Sequence, residues 1–541
     1  MNEPTGEGSA RRFPPNNPSP SLATQASGIA RLSLRDKLAQ LMIVRLGSDM
    51  PPKRTAEEDQ ERVAALLQQC PVGGLVVFNG TSAETPATLA RLQRLSRTPL
   101  LVGADLERGA GQQLRPWPLV PHAMAFDALG AGAADAVFEF ARLAAEAARW
   151  AGIHVTFGPV ADVNSNPRNP IIATRAFSTD PGRAAELAAA FVRGCRAAGM
   201  LATAKHFPGH GDTSEDSHDA VPCVTASVDD LSARELAPFR AAIAAGAPLV
   251  MTAHVRYPAL DPTGAPATFS PRIVAKLLRE DLGFQGVAIT DSLLMDGARM
   301  GFAGEGEMAV AALGAGVDVL LDLAEPLATL DALEAAVEAG RLPLARVDEA
   351  HQRFTALRAA AFAPSEAAAG FDAEENRRRT ESLALDVARR ATVVVKQRPG
   401  VLPLCPQRSL CAVLVDPFER PRNMPPSPLG DLLRTRFAKV EHFAVPADPP
   451  DALLESIGRA ALGAEQLLVA FVVKPAAWYR FGLPAGLCRW MQSLAAAQPM
   501  VAACLGAPQG LQPLDAAAVQ ICTYSDVPAS QAALVERLLA S

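Results

Sequence analysis

The chain has 541 residues, more than one hydrophobic core normally organises, so its length predicts two domains. Hydrophobic residues make up 49%, charged residues 20% and aromatic residues 5%, which is typical of helix-rich α/β packing rather than an all-β sandwich. The formal net charge of -6 is small, and no block of lysines and arginines occurs, so neither nucleic acid nor an anionic membrane is an expected partner.

Residues 1–30 are predicted to form a disordered tail. Arg11-Arg12 could begin a twin-arginine export signal, but Phe13-Pro14-Pro15 follows where such a signal needs an apolar core. No run elsewhere approaches the ~18 apolar residues of a transmembrane helix. The eight cysteines are scattered without a C-x-x-C pair, as buried thiols in a reducing compartment would be. The expected location is therefore the cytoplasm.

Residues 31–360 are predicted to form a (β/α)₈ TIM barrel, because eight Val/Ile/Leu-rich runs alternate with stretches of helical period. A doubly wound sheet is the alternative. The runs are Leu41 to Leu46, Gly74 to Phe78, Leu100 to Asp105, His154 to Val160, Leu201 to Phe207, Leu249 to Val255, Val287 to Asp291 and Val317 to Leu321.

A smaller α/β sandwich domain is predicted over residues 386–541, after a linker helix over residues 361–385. The alternation of apolar runs and helical stretches ends at residues 363–370, and a charged helical stretch follows. Four further apolar runs alternate with helical segments, as in an α/β sheet. They are Ala391 to Val395, Leu410 to Val415, Gln466 to Val473 and Val501 to Leu505.

Polar residues follow five of the barrel runs, where TIM barrels place their chemistry. A single aspartate after a strand is more often the cap of the next helix, but five polar positions at one rim indicate an active site. They are Asp105, Asp162-Val-Asn164, Lys205-His206, His254 and Asp291.

The segment from Lys205 to His218 holds three histidines, three acidic residues and a lysine. Histidine is suited to proton transfer near neutral pH, and a carboxylate beside it can orient its ring. Asp216 and His218 are two residues apart, a spacing that allows this pairing in an extended or turn backbone. The segment is therefore the predicted functional centre.

A metal site is the competing interpretation of this segment, because His206 and His210 are four residues apart, as in zinc proteases. Pro208-Gly209 lies between them and would break the required helix, and no glutamate follows His206. We therefore expect no metal and no cofactor. Asp291 at the end of the seventh run also has two interpretations: a helix cap, or the carboxylate that forms a covalent sugar ester.

Several segments resemble glycoside hydrolase family 3, and within it the bacterial β-N-acetylglucosaminidase branch. Lys205-His-Phe-Pro-Gly-His-Gly211 with Asp216-Ser-His218 resembles the signature loop of that branch, and Leu282 to Met295 resembles the nucleophile segment of the family. The resemblance spans about Leu32 to Leu357. Further similarity lies in Gly158 to Asn164, Asn169 to Ser178 and Met251 to His254, and more loosely in Ala388 to Lys396 and Val401 to Leu404 of the second domain.

The resemblance implies a TIM barrel followed by an α/β sandwich, and retaining hydrolysis of terminal, non-reducing β-N-acetylglucosamine through a glycosyl-aspartate intermediate. Muropeptide fragments of the cell wall or chitooligosaccharides are the implied substrates. The implied roles are Asp291 as nucleophile, His218 as acid/base, Asp216 as its partner, and sugar binding by Asp105, Arg175, Lys205, His206 and His254. The segment Asp105 to Gln113 lacks the arginines usual in the family, so Arg108 and Arg115 receive no sugar contact.

Other functions stay open from the sequence. A phosphorylase could use the same residues, since a histidine repels incoming phosphate less than a second carboxylate would. A β-glucosidase of the same family, a metal-dependent hydrolase that a chelator would inhibit and a non-catalytic sugar-binding protein are the other candidates. The expected partner is a small carbohydrate. The oligomeric state and the purpose of the second domain are left open.

Overall fold

A computed structural model of the chain describes residues 32–214, 221–299, 301–363, 370–419, 424–476 and 481–540. Eight parallel strands form the first sheet, in chain order around a barrel that closes where Ile289 pairs with Val319. The strands are Met42–Leu46 (β1), Gly74–Val77 (β2), Leu101–Ala104 (β3), Val155–Thr156 (β4), Leu201–Phe207 (β5), Leu249–Thr252 (β6), Val287–Thr290 (β7) and Leu320–Leu321 (β8).

Helices surround this barrel. Those of more than four residues are Leu34–Gln40 (α1), Gln60–Gln69 (α2), Thr85–Leu95 (α3), Ala133–Trp150 (α4), Pro181–Ala197 (α5), Leu236–Ala244 (α6), Glu305–Ala315 (α7), Pro326–Glu338 (α8), Leu344–Ala361 (α9) and the π-helical Leu231–Glu235 and Arg272–Asp281. Shorter turns of helix are Ala110–Gln112, Met124–Asp127, Ala173–Arg175, Val228–Asp230, Ala267–Phe269 and Asp296–Arg299, and Gly80–Thr81 pairs with Leu114–Arg115 outside the barrel.

Most residues of the barrel strands are apolar on both faces, because the interior of the barrel packs on one side and the helices pack on the other. β2, β3, β6 and β7 are buried at every position. Each of the eight predicted runs contains one strand, so the predicted TIM barrel is confirmed. The fourth run is longer than its strand, which covers only Val155–Thr156.

A second sheet of six strands follows, in the order β9-β14-β13-β12-β10-β11. All of its strands are parallel except β9, which runs antiparallel to β14. Helices cover both faces, so the predicted smaller α/β domain is confirmed. The strands are Val393–Gln397 (β9), Ser409–Val415 (β10), Lys439–Val445 (β11), Gln466–Val473 (β12), Met500–Gly506 (β13) and Val519–Cys522 (β14).

The helices of this domain form two layers. Leu429–Arg434 (α11) and Pro528–Leu539 (α14) pack on one face of the sheet, and Asp451–Gly463 (α12) and Ala485–Ala497 (α13) on the other. Pro508–Leu514 forms a further short helical segment.

A long helix, Ala373–Ala391 (α10), joins the two domains and contacts both. Asn376 donates a hydrogen bond to the carbonyl oxygen of Leu143 on α4 at 3.1 Å. Near its other end, Arg389 pairs with Glu536 on α14 at 2.7 Å. The helix therefore packs against the barrel and the second domain at once.

The order of the second sheet reverses between β10 and β12. From β10 the chain passes to β11 on one side and then returns to β12 on the other. In parallel α/β sheets, ligands bind outside the carboxyl ends of the strands at such a reversal. Lys474 directly follows β12 at this point and lines a cavity together with barrel residues.

Within the ranges given above, none of the helices is both long and apolar enough to cross a membrane. The predicted N-terminal tail lies outside the described residues.

Candidate active site

A cavity of about 420 Å³ opens at the carboxyl ends of the barrel strands. Its walls come mainly from the loops after the strands, and the second domain contributes Lys474, Pro475 and Ala476. Five of the residues predicted from the sequence line it: Asp105, Arg175, Lys205, His206 and Asp291. The structure therefore brings together residues that are up to 186 positions apart, from Asp105 to Asp291.

Asp291 is the residue after β7 and lies in the wall of the cavity. Its Oδ1 accepts a hydrogen bond from the backbone N–H of Ser292 at 2.7 Å. Burial alone would raise the pKa of Asp291, but the neighbouring His206, His254 and Lys205 and the Ser292 N–H together hold that pKa below its ordinary value. The carboxyl group is therefore ionised at neutral pH.

His206 lies between two carboxylates. Its Nδ1 is 2.8 Å from Oδ2 of Asp162, and its Nε2 is 3.9 Å from Oδ2 of Asp291. Asp162 also accepts the backbone N–H groups of His206 at 3.2 Å and His210 at 2.7 Å. One buried carboxylate thus fixes the ring and the backbone of the segment.

The register of β5 explains why Lys205 and His206 both line the cavity, although adjacent side chains of a regular strand point to opposite faces. The pairing of β5 with β6 shifts between Ala204 and Phe207. An irregularity of this kind changes the direction of a side chain at the end of a strand.

Glu107 connects two cationic residues of the cavity wall, Arg175 and Lys205. Its carboxylate accepts two hydrogen bonds from Arg175, at 2.9 and 2.8 Å, and lies 2.7 Å from Nζ of Lys205. Lys205 also donates to Asp105 at 2.7 Å. Burial would raise the pKa of Glu107, but Arg175 and Lys205 hold it well below its ordinary value. Two cations and two anions therefore form a balanced network that can bind sugar hydroxyl groups.

His254 contacts the residue after Asp291 and does not line the cavity. Its Nε2 is 3.2 Å from the carbonyl oxygen of Ser292, and its Nδ1 is 2.9 Å from Oγ1 of Thr268. Burial lowers the pKa of His254 below its ordinary value. Its predicted contact with the sugar stays a prediction.

His210 is buried, and its Nδ1 lies 2.9 Å from Oγ1 of Thr213. Burial lowers the pKa of His210 to about 4. In the described ranges, no group of three or more histidine, cysteine, aspartate and glutamate residues is arranged to hold a metal ion. Glu215, Asp216 and His218 lie outside the described residues.

Arg234 and Glu235 of the π-helical turn Leu231–Glu235 contact the segment that precedes Asp216 and His218. Arg234 donates to Asp212 at 2.8 Å and to Glu235 at 2.7 Å. Glu235 is fully buried against Gly209 and accepts a hydrogen bond from Oγ of Ser165 at 3.3 Å. Burial raises the pKa of Glu235 to about 7, although Arg234 acts in the opposite direction.

This shift predicts a pH dependence of stability. The folded chain binds the proton of Glu235 more tightly than the unfolded chain does. Protonated Glu235 therefore contributes to the free energy of unfolding in full below the ordinary pKa of glutamate, and this contribution declines as pH rises towards 7. The loss amounts to about 3 kcal/mol at most. We expect Glu235→Gln, which stays neutral, to flatten the decline in Tm between pH 5 and pH 8. Glu338→Gln, at an exposed position on α8, is the control. Identical pH profiles for the wild type and Glu235→Gln would contradict the assignment.

An ionised carboxylate, an oriented imidazole and a balanced network of charged donors and acceptors define a TIM-barrel enzyme that acts on a small polar substrate. The model of the glycosyl hydrolase family 3 N-terminal domain matches residues 33–357. The chain belongs to glycosyl hydrolase family 3, and it is an enzyme of that family.

Two relatives and two solved structures illustrate the similarity. A beta-N-acetylglucosaminidase/beta-glucosidase of Cellulomonas fimi is 34% identical over 417 residues, which are 74% of this chain and 71% of the relative. A beta-hexosaminidase of Pseudomonas aeruginosa (strain LESB58) is 39% identical over 269 residues, 49% of this chain and 77% of the relative. A family 3 beta-N-acetylglucosaminidase from Paenibacillus sp. str. FPU-7 superimposes with a TM-score of 0.83 at 30% identity, covering 94% of this chain and 97% of that one. The beta-glucoside phosphorylase BglX, at 22% identity and a TM-score of 0.82 over 96% of this chain and 93% of that one, shares the fold.

Proposed function

We propose that the protein hydrolyses terminal, non-reducing β-N-acetylglucosamine with retention of configuration, through a covalent intermediate on Asp291. The observation that carries this proposal is the position of Asp291: an ionised carboxylate in the wall of the same cavity as a network of hydroxyl-binding groups. A carboxylate held ionised can attack the anomeric carbon of a sugar that Asp105, Arg175 and Lys205 position by their hydrogen bonds. The names of the relatives support the choice of sugar.

The proposed proton donor is His218, oriented by Asp216. In the proposed cycle, His218 protonates the glycosidic oxygen as the bond to Asp291 forms, and then removes a proton from the water that breaks this bond. His206 is held by Asp162 at 2.8 Å and is assigned to sugar binding.

A proton donor from the second domain is the arrangement that a β-glucosidase of this family would use. Among the described residues of the second domain, the cavity is lined by Lys474, Pro475 and Ala476, none of which has a carboxyl group. This composition favours a donor on the barrel, as in the N-acetylglucosaminidase branch.

Muropeptide fragments and chitooligosaccharides are the substrates that we propose. In both, the terminal sugar has a neutral acetamido group and several hydroxyl groups. The balanced network of Glu107, Arg175, Lys205 and Asp105 binds such a sugar without placing an uncompensated charge against it.

The test compares p-nitrophenyl β-glycosides with and without the 2-acetamido group. We expect kcat/KM for the N-acetylglucosaminide to exceed that for the glucoside by roughly tenfold or more, since a site that bonds the acetamido group is left with unpaired polar atoms by the glucoside. The products are assayed in phosphate buffer as well. Faster cleavage of the glucoside would overturn the proposed substrate, and release of the sugar 1-phosphate would identify a phosphorylase instead.

A further inference from the structure

Arg108 is a mostly buried arginine that the proposed reaction does not use. It lies in the loop after β3 and lines both the active-site cavity and a second cavity of about 530 Å³ between the two domains. It pairs with Oδ1 of Asp526 at 3.7 Å, and its side chain donates no hydrogen bond to any residue that the structure describes. A guanidinium group has five N–H donors, so Arg108 presents unused donors to both cavities.

Arg108 and Lys474, which both line the active-site cavity, pair with one carboxylate. Lys474 pairs with the same carboxylate, that of Asp526, and lies 4.9 Å from the ring centre of Phe418. The two cations therefore share one carboxylate, in contrast to the balanced network around Glu107. Oδ1 of Asp526 is buried without a hydrogen-bond partner among the described residues.

His122 connects Arg108 and Lys474 with the active-site cavity. Its ring lines the active-site cavity, and its Nε2 has no hydrogen-bond partner in the described part of the chain. Burial lowers the pKa of His122 to about 3, and the charges acting on it next are those of Arg108, Asp526, Lys474 and Glu107. The cluster of Arg108, Lys474 and His122 lines the same cavity as Glu107, one of the groups assigned to binding sugar hydroxyls.

We propose that Arg108, together with Lys474 and His122, forms a subsite for an oxyanion of the phosphate or sulfate class at the hydroxyl-binding side of the active site. Two sources fit this chemistry. One is a phosphate or sulfate ester on the exocyclic C6 oxygen of the bound sugar, which can extend beyond the ring towards the second domain. The other is a free phosphate ion in the active-site cavity, beside Arg108 and Lys474. A guanidinium group binds such an oxyanion with two parallel hydrogen bonds.

The first experiment measures binding without turnover. Inorganic phosphate, N-acetylglucosamine and N-acetylglucosamine 6-phosphate are titrated by calorimetry into the full-length wild type, Arg108→Gln, Arg108→Lys and Arg408→Gln. Arg408 is an exposed arginine of the second domain and controls for the loss of one positive charge. We expect an oxyanion-containing ligand to bind the wild type at least tenfold more tightly than Arg108→Gln, since hydrogen bonds to charged groups contribute about that much. Arg108→Lys should restore part of the loss, and the affinity for unmodified N-acetylglucosamine should change far less.

The titrations also distinguish the two sources. Tight binding of the 6-phosphate with little binding of inorganic phosphate identifies an ester on the sugar, and binding of inorganic phosphate to protein saturated with N-acetylglucosamine identifies a free ion. Equal affinities of the wild type and Arg108→Gln for both oxyanions would overturn the subsite.

The second experiment compares hydrolysis of 4-methylumbelliferyl β-N-acetylglucosaminide with that of its 6-sulfate. Only this second experiment depends on the proposed function, because it requires turnover. If neither substrate is cleaved, the proposed function fails, while the titrations still decide whether the subsite exists.

Discussion

Asp291→Ala is expected to lower kcat on p-nitrophenyl β-N-acetylglucosaminide by roughly three to six powers of ten. Without this carboxylate no glycosyl ester forms, and the positive charge that develops at the anomeric carbon has no anion beside it. The Asp291 side chain is 20% exposed, and its carboxylate accepts a hydrogen bond from the neighbouring N–H of Ser292, which Asp291→Ala removes without opening the core, so the fold should survive. Asp291→Asn, which keeps the shape and this hydrogen bond, is the matched variant.

The assay is steady-state turnover, with Tm as the control for folding. A fluorinated N-acetylglucosaminyl fluoride that traps the intermediate should add its mass to the peptide that contains Asp291. Activity of either variant above about a hundredth of the wild type, or a label on another residue, would show that Asp291 is not the nucleophile.

His218→Ala is expected to affect substrates according to their leaving groups. An aryl glycoside with a good leaving group such as dinitrophenol scarcely needs an acid, whereas a substrate with a sugar leaving group does. Formation of the intermediate should therefore slow far more for the substrate with the sugar leaving group. General acid–base catalysis contributes roughly 10² to 10⁴ in rate, which sets the expected loss. Deglycosylation should slow for both substrates, because water also needs a base.

Azide, a nucleophile that needs no general base, should rescue His218→Ala on activated substrates and give the β-glycosyl azide. Asp216→Ala should act in the same direction but more weakly, because Asp216 orients the histidine without transferring the proton itself. If His218→Ala slows both substrates equally and azide has no effect, a carboxylate such as Glu215, or one from the second domain, becomes the candidate for the acid/base.

The barrel was predictable because its strands are buried on both faces and appear as continuous apolar runs. β11 escaped prediction for the opposite reason. It is an edge strand in which Lys439, Glu441 and His442 interrupt the apolar residues, and much of it is exposed. β14 is only four residues long and contains Gln520. Short and edge strands obtain their structure from neighbouring strands, which a local pattern does not record.

The site was partly predictable, since residues after barrel strands converge at one rim whatever their separation in sequence. Asp162 was among the predicted rim positions because it follows the fourth run, whereas Glu107, two residues after Asp105, was not predicted. Their partners became apparent only in the structure: Glu107 bridges Arg175 and Lys205, and Asp162 holds His206. Which side chain each carboxylate contacts depends on loops that the sequence does not place.

The cavity has walls from both domains, and this has a thermodynamic consequence. A ligand that touches barrel residues and Lys474 at once binds only while the second domain is docked, so its binding free energy adds to that of docking. By reciprocity, each contact that stabilises the docked arrangement, including those of α10 with α4 and α14, also raises the affinity for such a ligand. Residues far from the sugar can in this way alter its dissociation constant without touching it.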